Sequence, residues 1–539
     1  MSSYTSNIVQ TREPHCLVFI DYDGKTAVAM DWKGREEFKS TDHAKVLEEA
    51  PKIHPRVVID GELILDKPVK FSGYNRLEII GTPRVKILYY ALKIRDYIAT
   101  TNWWGTGSSW IVVLYFTNVK HVLVEGLYFE MLDWNEWFAS GRPGGTTIMA
   151  TTQEGNVVRF YVKNCIIIGF PIRAVQCDRW PGSTLPEVFV VEDCYIRQPE
   201  LPHGGFHICN PYGCKYVYIR RNYLAGNGVP LSITGQYVFI EKNTIEYVDD
   251  TYIQVAPNPI MGTNVYSVVV RSNVMGCPTQ GTSPAPIHIF GNKDLGVENV
   301  IIEDNIVYGD PSTGTYPGSI CVGDYVKNAV VKRNVLNYAG GIVVKWSHHE
   351  SAVIESNIVK NVQTAGYSIR SEAGITYIVN NIVDSNKPIH FWFTNVIIRN
   401  NIGFEIGKYV YVSDAVPIGK SDVYGDPVLW TSQKNRFGLV SLPPKLYVNG
   451  CPIRFIKISV SGVNTTAGEV ITVKLVATKA DGSQNVLEKS FSSDQTYYLT
   501  DEELLQLMQG NYPVTAIEAY AKTNQASTSA SVYVTVGVD

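Results

Sequence analysis

The stretch Val297-Glu-Asn-Val-Ile-Ile-Glu-Asp-Asn305 decides the fold, because similar stretches recur along most of the chain. Each has apolar, often β-branched residues that alternate in part with polar ones, and each ends in Asn, as in Tyr237-Val-Phe-Ile-Glu-Lys-Asn243. A period of about 20–50 residues is typical of solenoids, propellers and arrays. The Asn returns every 20–32 residues, with Asp193 in one gap, at Asn164, Asn222, Asn243, Asn273, Asn305, Asn334, Asn357, Asn381 and Asn401.

A second β segment follows each Asn, and Gly or Pro opens it, as in Pro230-Leu-Ser-Ile-Thr234 and Gly341-Ile-Val-Val-Lys345. We find no amphipathic helix pattern between the segments, which argues against a doubly wound α/β fold. A propeller blade needs about 40 residues, more than this period supplies. The repeat therefore predicts an all-β protein, a right-handed single-stranded parallel β-helix with one coil per Asn.

The repeated Asn is expected to have a structural role at one corner of each coil. Asn tolerates the left-handed backbone conformation and bonds to neighbouring backbone groups. Stacked at about the 4.8 Å strand spacing, its amide would bond along the stack and satisfy polar groups that the corner buries. We predict a structural ladder in preference to a row of ligand-binding amides.

Composition limits the function. The net charge of −4 argues against a general nucleic-acid binder, and no apolar stretch is long enough to span a membrane. The start, Met1-Ser-Ser-Tyr-Thr-Ser-Asn7, has no basic region followed by an apolar run. We therefore expect no signal peptide, and either a mature extracellular form or export by assembly into a particle.

Cys165 and Cys194 directly follow Asn164 and Asp193, so we expect them to stack on adjacent coils. Stacking would allow a disulfide, but a pair of buried apolar thiols is the favoured interpretation. The Cys residues show no CxxC or Cys/His zinc spacing, and we expect no metal site.

The pattern also predicts how the chain is organised. Two short strands precede a helix from about Thr41 to Ala50, which Ser40 or Thr41 would cap and Pro51 would stop. Near the C-terminus a capping box formed by Thr500 and Glu503 predicts a helix over Asp501 to Met508. It lies among short strands in which apolar and polar residues alternate. The predicted parts are a tail or attachment arm (1–15), an N-terminal cap (16–56), the β-helix (57–410), a lead-out or linker (411–444) and a C-terminal β-sandwich (445–539).

A family resemblance lies in the opening segments. These segments follow one another in a fixed order: the small β unit, the stretch Thr41-Asp-His-Ala-Lys-Val-Leu47, and then Val57-Val-Ile-Asp-Gly-Glu-Leu63 and Leu77-Glu-Ile-Ile-Gly81. This order resembles the start of the pectate-lyase-like β-helix superfamily, which includes polysaccharide lyases, polygalacturonase-like hydrolases and tailspikes. The resemblance spans about residues 16–410. It implies a carbohydrate partner and, for a tailspike, a homotrimer.

Residues that alternate with the core would project from a long sheet face. This strip is polar and aromatic and has no carboxylates. Sugars bind to aromatic faces and hydrogen-bonding side chains, although a solvated sheet face has the same composition. The predicted ligand-binding residues are His207, Tyr252, Gln254, His288, His390 and Trp392. The strip also contains Arg173, Ser232, Thr234, Phe290, Lys345, Ser368 and Arg370.

One candidate for catalysis is the pair Asp249 and Asp250. Their phrase, Val-Asp-Asp-Thr-Tyr-Ile-Gln-Val, resembles Gly-Asp-Asp-Cys-Ile-Ala-Ile of polygalacturonase-like hydrolases, and glycoside hydrolysis needs two carboxylates. The Gly-His-Gly phrase expected one coil later is missing, since the similar phrase at His203 precedes the pair. Two adjacent Asp before a strand also form turns.

The other candidate is Lys345 with Arg370, which we expect in matching registers on adjacent coils. A basic pair suits a lyase, which abstracts a proton α to a uronate carboxylate. Solvated turn charges are the alternative. A lyase would add Ca²⁺ as a cofactor, and otherwise none is expected.

These features favour a viral or surface-assembly spike or fibre protein that recognises host-surface glycans. It would lie on a virion or extracellular surface, attach to other particle proteins through its N-terminal arm and form a homo-oligomer. The alternatives are an extracellular polysaccharide lyase or glycoside hydrolase and a purely architectural virion protein.

Overall fold

The computed structural model divides into two compact units, one ending at Pro317 and the other beginning at Gly318. The division falls inside the predicted β-helix segment. Residues described by the structure are 14–106, 108–198, 206–226, 228–258, 262–279, 284–345, 350–384, 387, 389–391, 395–399, 401–402, 409–427, 430–432, 446–448 and 453–538.

The first unit is a parallel β-helix, in which the coils add strands to three parallel stacks. The first stack contains Val69–Ser72, Ile111–Thr117, Gly145–Thr151, Arg173–Asp178, His207–Arg220, Leu231–Glu241, Thr251–Val255 and Ala285–Ile289. The second contains Arg56–Asp60, Arg76–Gly81, His121–Glu125, Arg159–Lys163, Val188–Glu192, Val265–Arg271 and Val297–Glu303, with the later halves of His207–Arg220 and Leu231–Glu241. The third contains Glu62–Leu65, Lys86–Tyr89, Tyr128–Met131, Ile166–Ile168, Tyr195–Arg197, Tyr223–Ala225, Thr244–Glu246, Val274–Gly276 and Ile306–Tyr308.

Apolar residues of successive coils fill the interior and explain the alternating pattern. Phe71, Phe116, Phe160 and Phe189 are fully or almost fully buried. Their ring centroids follow one another at 5.0, 6.1 and 5.8 Å. Phe71 pairs with Phe116 on the first stack and Phe160 with Phe189 on the second, so like residues stack on successive coils, which confirms the predicted β-helix.

The Asn ladder is confirmed as a hydrogen-bonded column within each unit. The side-chain oxygen of Asn243 accepts the backbone N–H of Asn222 at 3.0 Å and its side-chain amide at 2.9 Å. Asn273 does the same for Asn243. The second unit repeats the pattern for Asn334, Asn357, Asn381 and Asn401.

The predicted ladder positions at Asn164 and Asp193 are wrong by one residue. Both have left-handed backbones, with φ of 52° and 56°, and Asn164 is exposed. The buried position is the next residue, and the Cys194 N–H donates to the Asn222 side-chain oxygen at 2.9 Å. In later coils the residue before the Asn, such as Arg221, has the positive φ. The corner needs two adjacent residues, one for the turn and one for the ladder, and the expectation that Asn supplies both is wrong.

The two cysteines continue this ladder. Cys165 and Cys194 are buried free thiols, and the Cys165 N–H donates to the Cys194 Sγ at 3.5 Å. Burial, and then the neighbouring Cys194 thiol, raise the pKa of Cys165. The predicted stacking on adjacent coils and the thiol interpretation are both confirmed.

The N-terminal segment is an antiparallel sheet followed by a helix. Its strands are Cys16–Ile20, Ala27–Asp31 and a third strand that sequence reasoning missed, Glu36–Ser40. The helix covers His43–Ile53, and its N-cap is Asp42, whose side chain accepts the Lys45 N–H at 3.2 Å, not Ser40 or Thr41. The helix continues past Pro51 to Ile53, so the expectation that Pro51 stops it is wrong by two residues.

Two further helices were not predicted. Ala91–Thr101 and Trp134–Ala139 lie between strands of the first unit. The buried residues Ala91, Ile94 and Ile98 of the longer helix have helical spacing, and both helices lie before the Asn repeat begins. This helix proves important for the candidate site.

The second unit begins with strands that form three parallel stacks, like those of the first unit. They are Ile320–Val322, Ile342–Val344, Ile369–Ser371 and Ile389–Phe391, then Val326–Lys332, Ser351–Glu355, Ile375–Val379 and Asn395–Arg399, and Val335–Asn337 with Ile358–Lys360. No helix among the described residues is long and apolar enough to cross a membrane.

The rest of the second unit forms two five-stranded, largely antiparallel sheets with alternate residues buried, as in a β-sandwich. One contains Tyr409–Ser413, Trp430–Ser432, Ile453–Ser461, Gln495–Tyr498 and Ser531–Val538. The other contains Ile418–Gly419, Leu446–Tyr447, Ile471–Lys479, Gln484–Phe491 and Val514–Thr523. Thus part of the segment predicted as a lead-out belongs to these sheets. A 3-10 turn covers Thr465–Ala467, and the predicted helix Asp501–Met508 is confirmed with its Thr500–Glu503 capping box.

Candidate functional site

The predicted ligand-binding strip is present only in part. His207, Gln254 and His288 are half-buried on the first stack, and Gln254 pairs with His288. Tyr252 is wrongly placed in the strip, because it is fully buried and its hydroxyl donates to the Gly276 carbonyl at 3.0 Å. His390 pairs with Arg370 along the backbone in the second unit. Trp392 and His203 lie outside the described residues.

Two other members of the predicted strip are also buried. Thr234 is 6% exposed and its hydroxyl donates to the Ala256 carbonyl at 2.9 Å. Ser368 is 0% exposed and donates to the Lys387 carbonyl at 2.9 Å. Each hydroxyl satisfies a backbone carbonyl of a neighbouring segment, so neither is offered to a ligand.

The Asp249–Asp250 pair forms a turn. Asp249 is half-buried and accepts the backbone N–H of Gly228. Asp250 is exposed and accepts the Thr251 hydroxyl at 3.2 Å. These contacts fit the turn alternative, and catalysis by this pair stays a prediction.

The expected pairing of Lys345 with Arg370 is wrong in register. Val343 pairs with Arg370 and Val344 with Ser371, which places Lys345 two residues beyond Arg370. Arg370 instead forms an ion pair with Glu372. Arg370 is therefore ion-paired with an acidic residue and is not aligned with Lys345, as the basic pair of a lyase would be. The length of the turn between these coils shifts the register.

A different group of side chains gathers on the first stack of the first unit. A row of in-register residues crosses that stack along the coil axis. Its first member and its last three are half-buried, and the four between them are buried. We call it the central row. It consists of Lys70, Tyr115, Met149, Gln176, Asn210, Ser232, Gln254 and His288.

Aromatic rings cover the start of the central row. The helix Ala91–Thr101 ends at Asn102, whose left-handed backbone (φ 48°) turns the chain toward Trp103 and Trp104. The ring centroids of Trp103 and Trp104 lie 5.3 and 5.0 Å from that of Tyr115. Both tryptophans remain half-exposed, so they offer a wall of apolar surface to a ligand.

Polar atoms without partners lie beside this wall. The Gln176 amide accepts the Thr146 hydroxyl and donates to Asp178 Oδ2, both at 2.5 Å. The other carboxylate oxygen of Asp178, the Asn210 Oδ1 and the Tyr115 hydroxyl are buried and have no well-formed hydrogen bond to any described residue. Buried polar atoms normally have a partner, so these are positions for water or a ligand.

The charges of two carboxylates, Glu154 and Asp178, act on the Tyr115 hydroxyl. Glu154 pairs with Lys70 at 2.8 Å, and both are partly exposed. Burial and then the Glu154 charge raise the pKa of Tyr115. Burial also raises the pKa of Asp178, against the opposing effects of the Gln176 hydrogen bond and the Arg173 charge. We call Trp103, Trp104, Tyr115, Gln176 and Asp178, with Lys70 and Glu154, the Tyr115 cluster.

Sequence reasoning missed the Tyr115 cluster because its members lie before the Asn repeat begins or between its corners. The adjacent Trp103 and Trp104 were the one visible signal, since paired tryptophans are rare outside cores and binding surfaces. Among the described residues, no three His, Cys, Asp or Glu side chains converge as a metal site.

Comparisons with known proteins identify similar folds only. No protein-family model matches the chain, and no curated protein does. An exopolygalacturonase from Thermotoga maritima is 13% identical, with 66% of this chain and 86% of the other covered and a TM-score of 0.33. The tailspike protein of E. coli bacteriophage HK620, in complex with a pentasaccharide, is 12% identical, with 92% and 90% covered and a TM-score of 0.33. We base no functional argument on similarities this low.

Proposed function

We propose that this chain binds a glycan across the central row, at the Tyr115 cluster. The observation that supports this most is the half-exposed tryptophan wall near buried polar atoms that have no well-formed hydrogen bond to a described residue. A sugar ring presents an apolar C–H face and hydroxyls at its edge, which match these two kinds of surface.

The shape of the surface fits an oligosaccharide better than a single sugar. The central row contains eight residues on successive strands. At about 4.8 Å per strand such a row extends for about 34 Å. Half-buried polar members such as Ser232 and Gln254 continue beyond the aromatic wall, so further sugar units would find hydrogen-bond partners along it.

Replacing Trp103 tests the proposal, since the described contacts of its side chain are with rings and with Lys70. Trp103→Ala should weaken glycan binding about 10- to 100-fold, because a stacked aromatic ring contributes strongly at such sites. Binding is measured on a polysaccharide panel and then by calorimetry. Trp32→Ala, at an exposed tryptophan of the N-terminal sheet, is the matched control and should bind as the wild type does. Equal binding by both variants would contradict the site.

The wider role we propose is a spike or fibre of a virus or other surface assembly. An outward row of the third stack supports self-association, because it is apolar and partly exposed, as at Ile166, Tyr195 and Ile306. A homotrimer is the proposed state, and the solution mass of the full chain tests it. The proposed attachment arm, 1–15, lies almost wholly outside the described residues. Absence of any glycan binding would favour the architectural alternative.

Glycoside hydrolysis is a second candidate, favoured by two carboxylates, Asp178 and Glu154, whose charges both act on Tyr115. A raised pKa suits Asp178 to proton donation. The lyase alternative has less support, because Arg370 is paired with Glu372, and its Ca²⁺ stays a prediction.

Asp178→Asn separates binding from hydrolysis. Because the folded-state pKa of Asp178 is raised, the folded chain binds this proton more tightly than the unfolded chain does. Stability should therefore rise as pH falls through that pKa, and the variant should lose this part of the pH dependence.

If the wild type releases reducing ends from a polysaccharide that it binds, the variant should be slower by about 100-fold or more. Unchanged cleavage by Asp178→Asn would exclude the assigned acid.

A further inference from the structure

Arg173 is an unpaired cation at the edge of the Tyr115 cluster. Its guanidinium carbon lies 5.0 Å from the Trp110 ring centroid and 5.6 Å from that of Tyr212. Its Nε atom is buried without a hydrogen-bond partner in the described part of the chain. The aromatic contacts hold the guanidinium in place and supply no acceptor for this buried donor.

Several other cations of the first unit, unlike Arg173, have carboxylate partners. Lys70 lies 2.8 Å from Glu154, and Arg271 lies 2.7 Å from Glu241. On the second stack, pairs of this kind follow from the alternation of acidic and basic residues on successive strands, as at Glu192 and Arg220. Within the described residues, no carboxylate comes within ion-pair distance of Arg173.

The groups nearest to Arg173 do not supply the missing charge. His207 pairs with Arg173 on the next strand, and burial, followed by the Arg173 charge, lowers its pKa. The Arg173 charge lowers the pKa of Asp178, but burial has the larger effect and favours the neutral form of the Asp178 carboxyl group. A partly buried guanidinium without a counter-ion is unfavourable, and a bound anion would offset that cost through paired N–H···O bonds.

We infer that the glycan bound at the Tyr115 cluster is anionic, and that a uronate carboxylate or a sulfate ester on it binds Arg173. This rests on the proposed function and adds the charge class of the ligand. The two tryptophans would hold the sugar ring, and the arginine would select for the charged substituent beside it. The planar guanidinium of Arg can form two parallel hydrogen bonds to such a group, which makes Arg more selective than Lys for it.

The test compares charged polysaccharides with their neutralised forms. The probes are alginate, polygalacturonate and hyaluronan, each with its carboxyl-reduced product, and κ-carrageenan with its desulfated product. Wild-type protein should bind at least one charged probe and bind its neutralised form about 10- to 100-fold more weakly. The carboxylate and sulfate arms distinguish the two sources of charge.

Variants then assign the effect to Arg173. Arg173→Gln should weaken binding of the charged probe about 10- to 100-fold and leave binding of the neutralised form unchanged, and Arg173→Lys should recover only part of it. Lys215→Gln, at a cation 5.3 Å from the Tyr216 ring on another part of the unit, is the matched control. Far-ultraviolet circular dichroism confirms that each variant is folded.

The outcomes separate this inference from the proposed function. If binding depends on Trp103 but is equal for charged and neutralised probes, or is unaffected in Arg173→Gln, the inference is overturned and the glycan site stands. If no polysaccharide of the panel binds, both are overturned.

Discussion

Asn273→Ala should lower the free energy of unfolding by about 3 kcal/mol or more, because it leaves several buried groups unpaired at once. The Asn273 side-chain oxygen accepts the Asn243 N–H at 3.0 Å and the Asn243 amide at 2.9 Å. Its own amide donates to the Ile240 carbonyl and to Asn305. Each buried donor or acceptor left without a partner costs about 1–3 kcal/mol, and Asn273 is 0% exposed, so water cannot replace it.

Urea unfolding followed by circular dichroism measures this effect. Asn164→Gly is the matched control, because Asn164 has the same place in the sequence repeat but is exposed and left-handed. Glycine accepts that backbone conformation, so this change should cost well under about 1 kcal/mol. A loss of stability as large at Asn164 as at Asn273 would show that the ladder does not begin where the hydrogen bonds place it.

Asp133→Ala should destabilise the chain by about 3 kcal/mol and weaken glycan binding at the Tyr115 cluster. The Asp133 carboxylate accepts the backbone N–H groups of Ala91 and Leu92, both at 2.7 Å. The N-cap residue Tyr90 makes no side-chain hydrogen bond of its own, so Asp133 caps this helix from elsewhere in the fold. A hydrogen bond to a charged group contributes about 1.5–3 kcal/mol, and two are lost together.

The helix Ala91–Thr101 leads directly into Trp103, which is why a loss of the cap should reach the glycan site. Hydrogen exchange of this helix, read by mass spectrometry, should become faster in Asp133→Ala than elsewhere in the first unit. Asp96→Ala is the control on the same helix, since Asp96 is 63% exposed and pairs only with Arg95. Unchanged exchange in Asp133→Ala would remove Asp133 as the anchor of the tryptophan wall.

The Asn period predicted the coil correctly. Each coil of the solenoid buries the backbone polar groups of one corner, so the polar residue that satisfies them must return once per coil. The period placed Cys165 and Cys194 on adjacent coils for the same reason. Period alone could not separate the left-handed residue from the ladder residue, since both recur with the same spacing. Asn164 was therefore assigned to the ladder although its backbone forms the turn.

Register between coils was less predictable, because turn lengths differ from coil to coil. Lys345 and Arg370 have similar local sequences, yet hydrogen bonding offsets them by two residues and pairs Arg370 with Glu372. Tyr252 alternates correctly with the core but is covered by a neighbouring coil. Alternation gives the direction of a side chain from its strand, whereas exposure depends on what packs over it.

By itself, the sequence determined the β-helix, the hydrogen-bonded Asn column and the C-terminal strands, because each follows from residues at a regular local spacing. Only the tertiary structure decided the candidate glycan site. Its parts come from Lys70, the helix that carries Trp103, and strands as far along as Asp178, and no spacing relates them. They meet because coils stack in register and because Asp133 fixes a helix that the repeat does not contain.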